Sequence, residues 1–528
     1  MTPDLLKTSQ WKKWEKTGIN KRAGVLFPLF SVRSKKSSGI GDFEDLKLLI
    51  DFCAGTGNSI LQLLPLNEMG SNFCPYDAIS SFAIEPSYIS VSVDNISEKI
   101  ESWTDFAIKE KKIKRLKTDF ESGTWDTNSE FQKFIEENSY WIYDFALYKT
   151  LKDFFKNKPW YQWEKEYVEK DPHTLNQFRK IHAKEMFFYM WVQWQSYKQL
   201  RKAKKYAEEK GVLIMGDMPV LVSGDSADVW TWRNYFKTQY AAGAPPDMYS
   251  QKGQRWGMPP NNWEIIGKDN YRYLKERLRY AENFYDIIRI DHVVGLFRLW
   301  SIPFMEPVEN AGLKGFFDPG DETLWEEHGR KTLNIMLENT DMLFCAEDLG
   351  VIPPFCPKVL EEMGIPGTDV FRWKKHWETT GGFLKPEEYR AIGISTLSTH
   401  DTTDWNSWWE NEAEKDEKEK IWKEFKMAGK PKDKSDKKLL GAALKYNFSA
   451  NSIFSIQSIF DLLELSDILK KTSLKCRINT PGTISNKNWT IVVPVYVEDL
   501  LKNPVCEEIK GLIKASNRLN TQVEWYLK

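Results

Sequence analysis

Three short apolar segments of the chain each end in a carboxylate flanked by polar residues. They are "YDIIRIDH", which carries Asp291, "DMLFCAEDLG", which carries Glu347, and "ISTLSTHD", which ends at Asp401. A charged side chain at the end of an apolar strand costs free energy unless it is paired or has a function. One such acid can cap a helix or pair with a neighbouring arginine, but three of them together favour a shared site.

Carboxylates of this kind suit the chemistry of glycosidic bonds. In the retaining route one carboxylate attacks the anomeric carbon, while a second, about 5–5.5 Å away, protonates the departing oxygen and later deprotonates the incoming nucleophile. Asp291 would be the nucleophile, with Arg289 close enough to keep it ionised. Glu347 would be the acid and base, because desolvation after an apolar strand raises its pKa. Asp401 would stabilise positive charge on the sugar ring in the transition state.

Two histidines adjoin these carboxylates in sequence. His292 follows Asp291 and His400 precedes Asp401, and both would bind sugar hydroxyls. A metal site made from the same side chains is the weaker alternative, because the chain has no HExxH or similar ligand spacing. We therefore predict no metal and no organic cofactor.

The elements that must position these residues are eight short runs of β-branched or large apolar residues. The runs cover residues 23–29, 58–66, 211–219, 285–292, 341–350, 368–373, 394–401 and 452–457. Such runs are typical of strands buried on both faces of a parallel sheet, and helical patterns such as that of residues 186–211 lie between them. The alternation predicts an α/β fold, a (β/α)8 TIM barrel, whose active site lies at the carboxyl ends of the strands.

The chain of 528 residues is much longer than the roughly 250 residues of a simple barrel, so large insertions in the βα loops are expected. The largest, about residues 67–210, is predicted to be a mostly helical subdomain. A second, about residues 217–280, is rich in Gly, Pro and Trp and is predicted to be a loop-rich subdomain that lines the active-site cleft. The charged residues 410–438 indicate a solvated helix and loop. We thus predict one catalytic domain, residues 1–528, that carries inserted subdomains.

Composition excludes several classes of partner. Lys and Arg total 74 against 75 Asp and Glu, so no single-sign field attracts nucleic acid or anionic lipid. No apolar run approaches the roughly 18 residues of a membrane span, and the first residues lack the apolar core of a signal peptide, which predicts a cytoplasmic protein.

The 6 Cys are scattered singly and are expected to be reduced thiols. The 23 Trp suit stacking on sugars, although aromatic packing in the core accounts for most of them.

Ordered blocks along nearly the whole chain resemble those of the 4-alpha-glucanotransferases of glycoside hydrolase family 77, the amylomaltases or disproportionating enzymes. The blocks include "GVLFPLFSV", "GIGDF", "LQLLPLNEMGSNFCPYDAISSFA", "GDMPVLVSGDSADVW", "GAPPDMYSQKGQRWGMPP", "RIDHVVGLFRLW", "AEDLGVIPP", "RINTPGT" and "NW". The resemblance implies a retaining enzyme that moves α-1,4-glucan segments between maltooligosaccharides, or to glucose and glucan acceptors. Residues 371–401 further resemble the branch that includes the plant cytosolic enzyme acting on maltose.

The family's functional residues map onto this chain one by one. The resemblance implies that Asp291 is the nucleophile, Glu347 the acid and base, and Asp401 the stabiliser, in agreement with the roles derived from the residues themselves. The substrate-binding residues that we predict are Tyr76, Asp217, Asp247, Gln254, Trp256, Arg289, His292, His400 and Asn479. The chain departs from the family pattern at Cys74, Met258 and Val493, where many members have Ser, Asn and Arg.

Two alternatives share most of these features. A retaining α-glucan hydrolase of the amylase kind would use the same carboxylates and differ only in that water resolves the intermediate. A non-catalytic glucan-binding protein would be expected to have lost at least one of the three acids, and this chain has all three. The sequence makes no prediction of the oligomeric state.

Overall fold

The computed structural model describes residues 5–93, 100–123, 125–247, 250–469 and 477–519. The strands in these ranges are β1 Arg22–Leu26, β2 Ile60–Gln62, β3 Leu213–Met218, β4 Tyr240–Ala244, β5 Gln254–Arg255, β6 Ile287–Ile290, β7 Leu299–Pro303, β8 Phe316–Asp318, β9 Leu343–Ala346, β10 Gly367–Val370, β11 Gly393–Thr396 and β12 Phe454–Ser458. The α-helices are α1 Trp11–Thr17, α2 Asp45–Thr56, α3 Ile108–Ser122, α4 Ser129–Glu137, α5 Ile142–Phe154, α6 Lys165–Val168, α7 Pro172–Ile181, α8 Ala183–Glu209, α9 Ala227–Thr231, α10 Trp263–Lys268, α11 Arg272–Ala281, α12 Trp325–Glu338, α13 Cys356–Met363, α14 Trp405–Asn411, α15 Lys415–Glu424, α16 Lys437–Phe448, α17 Ile459–Leu463, α18 Val497–Leu500 and α19 Val505–Ala515.

Eight of these strands close into a parallel barrel in the order β1-β12-β11-β10-β9-β6-β3-β2. Each of the eight apolar runs in the sequence contains one barrel strand to within one residue at either end of the strand, and the (β/α)8 TIM barrel is confirmed. Every residue of β1, β2, β6, β9, β11 and β12 is buried, as expected for strands with helices on one side and the barrel interior on the other.

Strand register brings the predicted catalytic positions to one edge of the barrel. Ile290 of β6 pairs with Ala346 of β9, so the residues that follow them, Asp291 and Glu347, leave neighbouring strands at the same level. On the other side of β6, Arg289 pairs with Asp217 of β3. The carboxyl ends of β3, β6 and β9 therefore present four charged side chains to one another.

A second, antiparallel sheet of order β5-β4-β7-β8 stands outside the barrel, and the sequence pattern does not predict it. Strand β4 is made largely of small residues, "YAAGA", and β5 has only two residues, so neither shows the alternation that marks a strand. The predicted loop-rich segment 217–280 thus contains β4, β5 and the helices α9, α10 and α11. Its sheet continues into residues 299–318 through β7 and β8.

The longest insertion is helical over most of its described length. Helices α3 to α8 fall between residues 108 and 209, and the pattern that predicts a helix over 186–211 corresponds to α8. Residues 67–84, by contrast, form no helix and are held by isolated bridges from Asn67 to Ile84 and from Met69 to Ala78. The division of the chain into subdomains at these boundaries stays a prediction.

Two further expectations concern cysteines and membranes. In the described ranges Cys53, Cys74, Cys345, Cys356 and Cys506 are free thiols, while Cys476 lies outside the described residues. No helix among the described residues has the length and apolar character that crossing a membrane requires.

Candidate active site

A cleft of about 1810 Å³ lies where the barrel strands end, since Leu26, Gln62, Val370 and Thr396 line it together with residues of the following loops. Eleven of the twelve residues predicted for the site line this one cleft: Tyr76, Asp247, Gln254, Trp256, Arg289, Asp291, His292, Glu347, His400, Asp401 and Asn479. The twelfth, Asp217, is buried at 3% exposure beneath the cleft floor. The structure therefore brings together residues that are up to 403 positions apart in the chain, from 76 to 479.

The carboxylate of Asp291 is held by a buried guanidinium. Arg289 donates from Nη1 to Asp291 Oδ1 at 2.9 Å, and also to Asp217 Oδ1 and Oδ2 at 2.7 and 2.6 Å. Tyr76 donates its hydroxyl to the same Asp217 at 2.7 Å. Burial alone would lower the pKa of Arg289, but Asp217, Tyr76 and Asp291 outweigh it and raise that pKa, so the cation beside Asp291 is permanent. Asp217 thus orients Arg289 and Tyr76 rather than facing the cleft.

Glu347 follows β9, the strand next to that of Asp291, in an environment that favours its protonated form. Burial raises the pKa of Glu347 to about 7, and the negative charge of Asp291 adds to this shift. Its Oε2 accepts from the backbone N–H of His292 at 2.8 Å, and its Oε1 accepts from the N–H of Leu349 at 2.9 Å. These two bonds fix the carboxyl group, and its pKa lets it both give and take a proton near neutral pH.

The backbone of His292 makes the sharp change of direction after β6. Its φ of 47° and ψ of 54° lie in the left-handed region, which only a locally constrained non-glycine residue adopts. This conformation aims the N–H at Glu347 and sets the imidazole against the ring of Trp256, with ring centroids 4.9 Å apart at 84°. Trp256 in turn donates from Nε1 to Gln254 Oε1 at 3.0 Å. Burial lowers the pKa of His292, which favours a neutral ring beside the two acids.

Asp401 is ionised by its neighbours. Asn479 donates from Nδ2 to Asp401 Oδ1 at 2.7 Å, and Nε2 of His400 lies 3.4 Å from Oδ2. Burial alone would raise the pKa of Asp401, but the charge of His400 and the hydrogen bonds outweigh it and lower that pKa. Burial also opposes protonation of His400, yet Asp401 raises the pKa of this imidazole. Asp401 therefore carries the negative charge that an oxocarbenium-like transition state requires.

Aromatic rings form one wall beside these acids. Tyr76 stacks on His400 with ring centroids 5.1 Å apart at 18°, and the indole of Trp489 lies 5.5 Å from Tyr76 and 5.8 Å from His400. Trp489 lines the cleft, but we did not predict it as a site residue even though it belongs to the quoted "NW" block. Flat rings of this kind contact the C–H faces of sugars.

A second residue missed from the sequence is Arg477. It donates from Nη2 to the carbonyl of Asp401 at 3.0 Å and from Nε to the carbonyl of Asn479 at 2.8 Å, so it ties the loop after β11 to residues 477–483. The sequence feature that could have identified Arg477 is its position two residues before Asn479 in the "RINTPGT" block.

Asp247 and the three departures from the family pattern complete the predicted positions. Asp247 lines the cleft, and its Oδ1 accepts a local hydrogen bond from the N–H of Ser250 at 2.6 Å. Among the three departures from the family pattern, Cys74 and Met258 line the cleft, whereas Val493 is buried at 1% exposure. Val493 thus belongs to the core and has no direct contact with a bound sugar.

The arrangement can carry out double displacement at an acetal carbon. One carboxyl group is paired with the Arg289 cation, a second has a pKa raised to about 7, and the pKa of a third is lowered by a histidine and an amide. Within the described ranges no three His, Cys, Asp or Glu side chains are grouped as metal ligands.

Sequence comparisons agree with one another. A family model for glycoside hydrolase family 77, described as 4-alpha-glucanotransferase, matches residues 27–496. A 4-alpha-glucanotransferase of Chlamydia pneumoniae is 36% identical over 512 residues, which cover 92% of this chain and 94% of the relative. A 4-alpha-glucanotransferase of rice, Oryza sativa subsp. japonica, is 25% identical over 555 residues, which cover 74% of this chain and 58% of the relative.

Solved structures show the same relationship. The amylomaltase of Streptococcus agalactiae in complex with acarbose has a TM-score of 0.81 and 26% identity, over 95% of this chain and 100% of that one. The amylomaltase of Corynebacterium glutamicum, at 22% identity, shares the fold with a TM-score of 0.76, over 97% of this chain and 77% of that one.

Proposed function

Because the chain belongs to the 4-alpha-glucanotransferases of glycoside hydrolase family 77, we propose that it moves α-1,4-glucan segments by double displacement at Asp291. The observation that carries this proposal is that Asp291 accepts a hydrogen bond from the Arg289 cation at the end of β6, while Glu347 follows the adjacent strand β9 and has its pKa raised by burial and by the charge of Asp291. The donor and the acceptor are α-1,4-glucans, from maltooligosaccharides to starch or glycogen chains, and glucose also serves as an acceptor.

In the first step the carboxylate of Asp291 attacks the anomeric carbon of the donor. The bond from this carbon to the glycosidic oxygen breaks, and Glu347 gives its proton to that oxygen, so the shortened glucan leaves with a free 4-hydroxyl. The negative charge of Asp401 stabilises the positive charge that develops on the ring. The product of this step is a glycosyl ester on Asp291.

In the second step an acceptor replaces the leaving glucan. Its 4-hydroxyl gives a proton to the Glu347 carboxylate, its oxygen bonds to the anomeric carbon, and the ester bond breaks to restore the Asp291 carboxylate. We propose that the insertions after β2 and β3 hold the acceptor, since Tyr76, Gln254 and Trp256 line the cleft from these segments. Positioning an acceptor hydroxyl raises its effective concentration by orders of magnitude over that of a mobile water.

Maltotriose as the sole substrate tests transfer against hydrolysis. We expect glucose together with a ladder of longer oligosaccharides, while the total of reducing ends stays nearly constant because every bond broken is remade. The measurements are chromatography of the products and reducing-end content against time. A steady rise in reducing ends without any product longer than maltotriose would show that the protein is a hydrolase of the amylase kind.

The pH dependence of the first step follows from Glu347. This carboxyl must be protonated to serve as the acid, and burial raises its pKa to about 7. The acid form is therefore present below that pH and is lost as the pH rises through it, so kcat/KM for maltotriose should fall on the alkaline side of about 7. A glucosyl fluoride donor, whose departure needs little protonation, should lose this alkaline limb. An identical limb with both donors would assign it to another group.

A further inference from the structure

The segment that follows β10 forms a hairpin at the rim of the cleft. The N–H of Leu384 donates to the carbonyl of Lys374 at 2.9 Å, and the N–H of His376 donates to the carbonyl of Gly382 at 2.9 Å. We call residues 374–384 the rim hairpin. It leaves the barrel between Glu347, which follows β9, and Asp401, which follows β11.

The rim hairpin is fastened to the body of the protein at several points. Phe383 is buried and stacks on Phe371, with ring centroids 4.9 Å apart at 9°. Lys375 forms an ion pair with Glu417 of α15, and its side chain is only 8% exposed. Lys420 of the same helix donates to the carbonyl of Thr380 at 3.3 Å. These contacts hold the hairpin in one place beside the cleft.

Trp377 projects from this fixed hairpin and is exposed over 58% of its surface. Among the described residues, Trp11 at 40% is the other tryptophan in the exposed class, and it does not line the cleft. The indole of Trp377 is oriented, because its Nε1 donates to the carbonyl of Trp373 at 3.1 Å. The Lys375 ammonium lies 4.8 Å from the centroid of its ring, and the residue as a whole stays largely exposed.

Both Trp373 and Trp377 line the cleft that contains Glu347 and Asp401. The hydrogen bond fixes the large aromatic ring of Trp377 in an exposed orientation. Covering its exposed surface with an apolar surface is therefore favourable, because that area is removed from water. The C–H face of a pyranose is such a surface, and one continuous cleft joins the rim hairpin to the acids.

We propose that Trp377 is a glucan-binding platform outside the reaction centre, which stacks on a glucose unit of a long chain and sets a preference for longer substrates. This inference rests on the proposed function, since it needs a glucan in the cleft. A short substrate that fills only the sites around Asp291 and Glu347 does not extend to the rim hairpin. Maltodextrins and starch chains would contact the platform.

The test compares Trp377→Ala with the wild type on two substrates, maltotriose and maltoheptaose. Loss of one stacking contact should lower kcat/KM for maltoheptaose roughly tenfold, mainly through KM, with a much smaller change for maltotriose. Trp377→Phe should recover most of the loss, because it restores an aromatic face. Trp11→Ala is the matched control, an exposed tryptophan outside the cleft, and should stay within about twofold of the wild type on both substrates.

Two outcomes would overturn the platform: an equal loss on the short and long substrates, or no loss on either. The unfolding temperature of Trp377→Ala is also measured, and a value equal to that of the wild type checks that the variant has kept its fold. If the wild type itself fails to extend maltotriose, the proposed transfer function is wrong. If the wild type extends maltotriose but the variants show either of the two outcomes above, only the platform is wrong.

Discussion

Replacing Asp291 by Asn should lower glucan transfer by at least about a thousandfold, because an amide cannot form the glycosyl ester. The fold should be unaffected. The described hydrogen bond of the Asp291 side chain comes from Arg289 at 2.9 Å, and an Asn oxygen can accept it as well. The side chain is also 26% exposed and contributes little to the core. Transfer from maltotriose and the thermal unfolding temperature are the two measurements.

A matched control is Glu414→Gln. Glu414 is an exposed carboxylate that lines the same cleft, and its neutralisation should change transfer by no more than about twofold. Turnover of Asp291→Asn within about tenfold of the wild type would remove Asp291 from the nucleophile role, since the loss of a covalent nucleophile costs far more.

Replacing Glu347 by Gln should have the second largest effect. Transfer from natural glucans should fall by roughly a hundredfold to ten-thousandfold, because the leaving oxygen has no proton donor. With a glucosyl fluoride the first step should survive, and the second step should then become slow, since no base accepts the acceptor's proton. The glycosyl ester should therefore accumulate in this variant.

The neighbouring carboxylate provides the control for Glu347. Asp348 is buried and ion-paired with Arg390 at 2.6 Å, so Asp348→Asn perturbs the same loop without removing the acid. The Asp348→Asn substitution should lower the stability of the protein. It should leave unchanged the ratio of the transfer rate with the glucosyl fluoride to the rate with natural glucans. A similar change of that ratio in both variants would contradict the assignment of the acid to Glu347.

The barrel could be predicted because its strands are buried on both faces. Continuous apolar runs such as residues 58–66 and 452–457 are typical of strands in a parallel sheet with helices around it. The antiparallel sheet of β4, β5, β7 and β8 was missed for the opposite reason. Its strands are short, β4 is made largely of small residues, and the pairing of β4 with β7 across about sixty positions depends on tertiary contacts, such as Ala241 with Ile302, that no local pattern records.

In the site, too, some residues could be predicted from local sequence patterns and others depend on tertiary contacts. Asp291 and Glu347 were identifiable because a charge at the end of an apolar run is costly and, in a barrel, faces the active site. Asn479 comes from a loop far along the chain and was predicted only through the family resemblance. The roles of Asp217 and Trp377 required the structure: the first is buried beneath Arg289, and the second is held at the rim by contacts of its hairpin.

The most direct test of the covalent mechanism is the identity of the labelled carboxylate. The Glu347→Gln variant is incubated with a glucosyl fluoride, denatured with acid, digested and examined by mass spectrometry. We expect a glucosyl adduct on the peptide that contains Asp291, and no adduct in the double variant with Asp291→Asn. An adduct on any other carboxylate, or its persistence in the double variant, would exclude Asp291 as the nucleophile.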